Sequence, residues 1–280
     1  MILSILSRMQ RRIPLVFVIV FLIIPGNAYA ETAYAPDIAR ITAKGKIVVA
    51  MLDKDSPPFF MSDAQGHLSG IDVDLANDIA GNLGVSVEFN RKAKTFDGLV
   101  DMVAAREADV AISYLSKTLE RAKKVLFTDT YVSLYQTIVV NRLAAAQRRW
   151  GDDPRGALNN KTVLIGTLKG SSYLEFAKKM FPLAAIVPYE DLDAAFDDAK
   201  SGKIQAAVFD DMYVKIWNHA HPDAALYVQT CVFKDKEDPI GIAVHGEDGH
   251  LREWLDQYLR GVIKDGTVDR WVNKYLESAR

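Results

Sequence analysis

Asp109-Val-Ala-Ile-Ser-Tyr-Leu-Ser-Lys-Thr-Leu-Glu-Arg121 begins as a short apolar strand and ends in hydroxyls and an arginine. Asp109–Ile112 reads as the strand, and Ser116 and Thr118 stand just beyond it. Arg121 follows one helical turn later. A guanidinium offers a planar two-donor fork that matches a carboxylate, and backbone N–H groups freed at a strand end add further donors. Charge-assisted bonds contribute roughly 1.5–3 kcal/mol each, so a few would support micromolar binding at about −8 kcal/mol. The same residues also suit a helix cap at Ser116 or Thr118 followed by a solvated Glu120-Arg121. Local sequence leaves both readings open.

Outward from this stretch, short apolar strands alternate with amphipathic helices, which is the pattern of α/β layering. Strands are expected at Lys46–Met51 and Val87–Asn90, and helices at Asp72–Leu83, closed by Gly84, and Phe96–Ala105. An apolar run starts at Gln136–Val140, and the pattern then begins again. Strands follow at Thr162–Gly166, Ala185–Tyr189, Ala206–Phe209 and Tyr227–Phe233, with helices at Ser171–Met180, Leu192–Ser201 and Asp211–Ala220. Ala144–Asn160, polar and carrying Gly151, Pro154 and Gly156, reads as a linker or surface excursion. In the tail, Leu251, Trp254, Leu255, Tyr258, Leu259 and Val262 form one helical stripe. Gly266 closes that helix, Thr267 caps the next, and its buried face holds Val268, Trp271, Val272 and Tyr275. Two α/β units suit two lobes with a cleft between them, and ligands of open α/β sheets sit beyond the carboxyl ends of strands.

The amino terminus reads as an export signal. Arg8, Arg11 and Arg12 precede the apolar run Ile13–Ile24, and Ala28-Tyr-Ala30 offers a small-x-small cleavage pattern. The run is shorter than the roughly 20 residues a spanning helix wants. Cleavage after Ala30 would leave 250 residues with 31 basic against 36 acidic side chains. That balance argues against nucleic acid. The single Cys231 allows no internal disulfide, and no lipoprotein cysteine stands at the cleavage site. These features point to a soluble protein of a Gram-negative periplasm. No P-loop, Rossmann glycine pattern, zinc-type spacing or calcium loop is present, and the pair His219-Ala-His221 makes a weak metal motif, so neither metal nor cofactor is expected.

Ser116-x-Thr118-x-Glu120-Arg121 followed by Phe127-Thr128-Asp129-x-Tyr131 resembles the signature of the family 3 periplasmic solute-binding proteins, the amino-acid-binding subunits of ABC importers. The likeness runs from Ile41 to Leu276. It includes Gly45-Lys-Ile-Val-Val49, Gly70-Ile-Asp-Val-Asp-Leu-Ala76, Phe96-Asp-Gly-Leu99, Gly166-Thr167-x-x-Gly170-Ser-Ser172, Ile204-Gln-Ala-Ala-Val-Phe-Asp210 and Asp265-Gly-Thr267.

The resemblance implies an α/β, two-lobed periplasmic binding protein fold of type II, with three-layer lobes joined by two crossover strands. Residues 1–30 would be the cleaved signal, 31–139 with 239–280 lobe one, and 140–238 lobe two. It implies Arg121 and Ser116 as carboxylate ligands, Ser171 and Ser172 closing on the same carboxylate at a helix N-terminus, and Asp210 as the acceptor for the ligand's ammonium. Phe96 would pack on the ligand side chain, with plain core as its other reading. Asp53 stands where a side-chain-reading polar residue is often found, and would favour an amide or cation over an acid. It would equally cap the turn before Ser56-Pro-Pro58.

Two departures stand out: Ser56 replaces a common aromatic, and Tyr114 stands where small residues often follow the third strand, so it fills or narrows that space. The implied function is capture of a small polar ligand, most simply an L-amino acid, by lobe closure and delivery to a membrane permease. A monomer is expected. Two alternatives remain: an exported cyclohexadienyl dehydratase-like enzyme using Asp53, Asp97 or Asp211 as its acid, or a binding protein serving a sensor or a periplasmic oxidation system.

Overall fold

The computed structural model describes residues 34–150 and 154–278, so the expected signal segment lies outside the described residues. In chain order the elements are α1 (Pro36–Lys44), β1 (Lys46–Leu52), β2 (Met61–Ser62), β3 (Leu68–Ser69), α2 (Ile71–Leu83), β4 (Ser86–Ala93), α3 (Phe96–Ala104), β5 (Val110–Ala111), β6 (Val125–Phe127) and β7 (Val132–Asn141). They continue with α4 (Arg142–Arg148), α5 (Arg155–Leu158), β8 (Leu164–Leu168), α6 (Ser172–Met180), β9 (Ala185–Tyr189), α7 (Leu192–Ser201), β10 (Ala206–Asp210), α8 (Asp211–Ala220), β11 (Val228–Ile240), β12 (Ala243–His245), α9 (Gly249–Lys264) and α10 (Thr267–Ser278).

Two five-stranded sheets carry the fold, in the orders β4-β1-β5-β12-β6 and β11-β7-β10-β8-β9. In the first, β1 lies parallel to β4 and β5, whereas β12 returns antiparallel between β5 and β6. In the second, β10, β8 and β9 are parallel, and β7 and β11 run antiparallel along the other side. The central strands are continuous apolar runs because helices cover both faces: Val49, Ala50 and Met51 of β1 and Ala206, Ala207 and Val208 of β10 are fully buried. Pro188 is tolerated in β9 because that strand is an edge, where a missing N–H breaks no ladder.

Helix α2 buries Ile71, Leu75, Ala76, Ile79 and Ala80, and Gly84 ends it in the left-handed conformation. The tail helices return to the first sheet's layer. Leu251, Leu255 and Leu259 of α9 are fully buried, the Leu251 N–H is held by Asp37 of α1, and Tyr275 of α10 donates to Asp74 of α2. Thr267 is the first residue of α10, and its hydroxyl donates to Asp265. The segment expected as a linker contains α5 and most of α4, which Asn141 caps, its side chain accepting from the Ala144 N–H at 2.9 Å. Among the described residues no helix is long and apolar enough to cross a membrane.

Candidate ligand-binding cleft

The carboxyl ends of β5 and β10, the first turns of α3 and α6, and the β11 residue Asp238 bring the candidate side chains together. Directly after β5, Ser113 accepts the Leu52 N–H at 3.2 Å, and Tyr114 follows with φ 37°. Its N–H donates to Asp72 at 2.6 Å, and the other Asp72 oxygen accepts from the Tyr131 hydroxyl at 2.8 Å. Asp72 is wholly enclosed, and burial pushes its carboxyl up to about 7 despite those two bonds.

Arg121 is 5% exposed and lies in a turn that Thr118 caps, accepting the Arg121 N–H at 3.2 Å. The cap is therefore Thr118, and Arg121 is buried, not solvated as the cap reading expected. Its Nε and Nη2 donate to Asp97 Oδ1 at 3.1 and 3.0 Å, and Nη1 donates to the Ser116 carbonyl at 3.1 Å. The guanidinium also lies 5.8 Å over the Phe96 ring, a cation–π distance. Ser116 Oγ meets Ser172 Oγ at 2.8 Å and donates to Asp238 Oδ2 at 2.8 Å. The Tyr173 hydroxyl donates to the same Asp238 oxygen at 2.8 Å, and Asp238 Oδ1 has no hydrogen-bond partner. Burial raises Asp238 to about 6, with the bonds from Ser116 and Tyr173 and the charge of Arg121 acting against it. Ser171 turns away and donates to the Leu168 carbonyl at 2.7 Å.

Asp210, 1% exposed, caps α8 by accepting the Tyr213 N–H at 2.6 Å. Asp211 instead accepts the Tyr135 N–H at 2.8 Å. The second oxygen of Asp210 is unpartnered, and burial, with Asp211 and Asp238 nearby, raises the group to about 7.

Apart from Asp210, which lines none of them, the sequence-derived residues gather around three distinct spaces. Arg121, Ser171 and Ser172 line a pocket of about 160 Å³ together with Asp97, Glu120 and Glu175. Ser116, Ser172, Phe96 and Tyr114 border a gap of about 10 Å³, closed by Leu134, Tyr173 and Asp238. Asp53, Ser56 and Tyr114 line a much larger cavity of about 500 Å³, with Asp55, Glu190, Asp191, Asp193, Phe209 and Tyr213 among its other walls. Asp238, Tyr173, Tyr213 and Asp72 were passed over at the level of sequence. Asp238 closes the run Lys234-Asp-Lys-Glu-Asp238, which reads as solvated charge, and only the Pro-Ile that follows it hints at burial. Among the described residues, no three His, Cys, Asp or Glu side chains are placed to hold a metal ion.

Comparison with known proteins returns consistent relatives. The model of the bacterial extracellular solute-binding proteins, family 3, matches residues 47–278. The lysine/arginine/ornithine-binding periplasmic protein of Escherichia coli (strain K12) is 28% identical over 262 residues, covering 90% of this chain and 93% of its own. The crystal structure of the ancestral amino acid-binding protein AncCDT-1, a precursor of cyclohexadienyl dehydratase, is 30% identical with a TM-score of 0.71, covering 86% of this chain and 99% of its own. An amino acid ABC transporter substrate-binding protein from Streptococcus pneumoniae bound to L-arginine is 26% identical with a TM-score of 0.71, covering 86% and 98%.

Proposed function

We propose that this chain, which belongs to the bacterial extracellular solute-binding proteins of family 3, captures a cationic solute of the amino-acid class and delivers it to the permease of an ABC importer. The observation that carries the reading is Asp210: it is enclosed and has one unpartnered oxygen, and although it does not itself line the 500 Å³ cavity, its sequence neighbours Phe209 and Tyr213 do. A buried carboxylate without a counter-charge is costly, and a ligand ammonium or guanidinium relieves that cost. The cavity supports the same sign: Asp55, Glu190 and Asp191 are paired with Arg91, Lys169 and Lys54, and the remaining wall carboxylates Asp53 and Asp193 outnumber Lys94. The relatives' own ligands, arginine and the lysine/arginine/ornithine set, are cations as well.

In this reading residues 31–139 with 239–280 form one lobe and 140–238 the other, after an export signal is removed at Ala30. The protein works in the periplasm and binds without turnover. Thermal melts and calorimetry against arginine, lysine, ornithine, histidine, glutamine and glutamate test it. Cationic compounds should raise the melting temperature, and at a hundred times Kd the gain is about 2.7 kcal/mol. Glutamate should do nothing, and the bound cation should be recovered unchanged by mass spectrometry. Asp210→Asn should weaken binding by at least about tenfold, the loss of one charge-assisted bond. Stabilisation by glutamate alone, or chemical conversion of the ligand, would refute the assignment.

A further inference from the structure

We propose that Tyr114 determines specificity by walling the cavity off from Arg121, so that the protein takes cationic amines and guanidines whether or not they carry an α-carboxylate. The inference rests on the cationic-solute reading and names the ligand class more closely. Tyr114 is the residue common to the 10 Å³ gap and the 500 Å³ cavity, and the pocket that holds Arg121 shares no lining residue with that cavity. The gap between them admits about one water.

The wall is well fixed. The Tyr114 ring stacks on Phe59 at 4.6 Å and 8°, meets Phe96 edge-on at 4.9 Å, and its hydroxyl bonds Ser56 Oγ at 2.8 Å. Its backbone sits at φ 37°, a conformation that side chains other than glycine adopt at a cost. The anchoring from Asp72, Ser56 and two rings holds it there. Ser56 and Tyr114 work as a pair: the small residue makes room for the ring and then binds its hydroxyl.

Arg121 and Ser116, for their part, are already engaged, by Asp97 and by Asp238 with Ser172. A ligand in the cavity would have to expel the Tyr114 ring from these contacts before its carboxylate reached Arg121. Left in the cavity, that carboxylate would face the carboxylates of the walls, which repel it. The positive end gains from Asp210, and an alkyl stem gains from the faces of Tyr114, Phe209 and Tyr213.

Calorimetric titration of the purified protein with arginine and with agmatine, its decarboxylated form, decides the matter. Agmatine should bind within about threefold of arginine, or more tightly, since no bond to the carboxylate is lost. Tyr114→Gly, which accepts φ 37° without strain, should open the route to Arg121 and shift the ratio toward arginine by about tenfold or more, one charge-assisted bond regained. Arginine binding with agmatine weaker by more than about tenfold in the wild-type protein overturns the proposal while leaving the cationic-solute reading intact, and needs no variant to be seen. Failure of every cationic compound to bind overturns that reading first.

Discussion

Gly70→Ala is expected to destabilise the protein severely, by about 3–5 kcal/mol. A Cβ at this position would collide with the Phe59 carbonyl oxygen and lie 2.6 Å from its carbon and 2.7 Å from Phe60 Cα. These are backbone atoms, which cannot rotate aside as a long side chain can. The φ of 132° also belongs to a region that residues with a Cβ scarcely enter. The backbones approach so closely because the first turn of α2 is stitched to the Pro58–Phe59 loop, with the Ile71 and Asp72 N–H groups donating to Pro58 and Phe59 carbonyls at 3.1 and 2.9 Å. Phe59 in turn carries the Tyr114 ring, so the strain reaches the cavity. For a chain of this size the melting temperature should fall by about 10 °C or more, read by calorimetry or circular dichroism. A fall under about 3 °C would show that the loop yields freely.

Stability should also decline as pH rises from about 5 to 7.5, the reverse of the usual behaviour of paired carboxylates. Asp72 and Asp210 are raised to about 7 and Asp238 to about 6, in each case chiefly by burial. In an unfolded chain all three titrate near 3.9. Between these values the folded protein holds protons that the unfolded chain has released, so raising the pH favours unfolding, and the penalty is complete only above the folded values. Acids lowered by exposed partners, such as Asp198 beside Lys203, act in the opposite sense and only below the ordinary carboxylate range. The melting temperature should therefore peak near pH 5 and fall by roughly 5 °C or more by pH 7.5. Asp238→Asn should flatten the slope. Arginine should bind more weakly as the pH drops from about 7 to 5, because Asp210 accepts a cation best when ionised. A melting temperature still rising at pH 7 would contradict the account.

The elements legible in the sequence were those whose own residues decide them. The apolar run of β1, the Gly84 stop of α2 and the leucine stripe of α9 each need only local burial and a cap. By contrast, β6 and β12 have three residues apiece, too few for any period, and they become strands only through pairing, β6 with β12 and β12 with β5 as well. The start of α1 carried a usable signal, Pro36 at its first position and Gly45 past its end. At the cleft, residue types could be read but partners could not. Nothing local shows that Arg121 meets Asp97, that Asp238 comes to Ser116, or that the Tyr114 ring turns toward Ser56, because each contact joins distant parts of the chain. Asp210 serves as the cap because α8 begins at Asp211, where the sequence placed its start, and the residue just before it accepts the Tyr213 N–H.

The β7–β11 ribbon has one interruption in its ladder: Val232 pairs with Thr137 and Glu237 with Tyr135, so residues 233–236 of one strand face Gln136 alone on the other. The Tyr135 N–H, meanwhile, is taken by Asp211. A paired ribbon is stiff where its rungs are regular and compliant where they are missing, so this is the level at which the ribbon bends most easily. Asp238 sits directly beside it, holding Ser116 and Tyr173. The weakest stretch of the ribbon and the bonds that gather the cleft thus lie next to one another along a single strand.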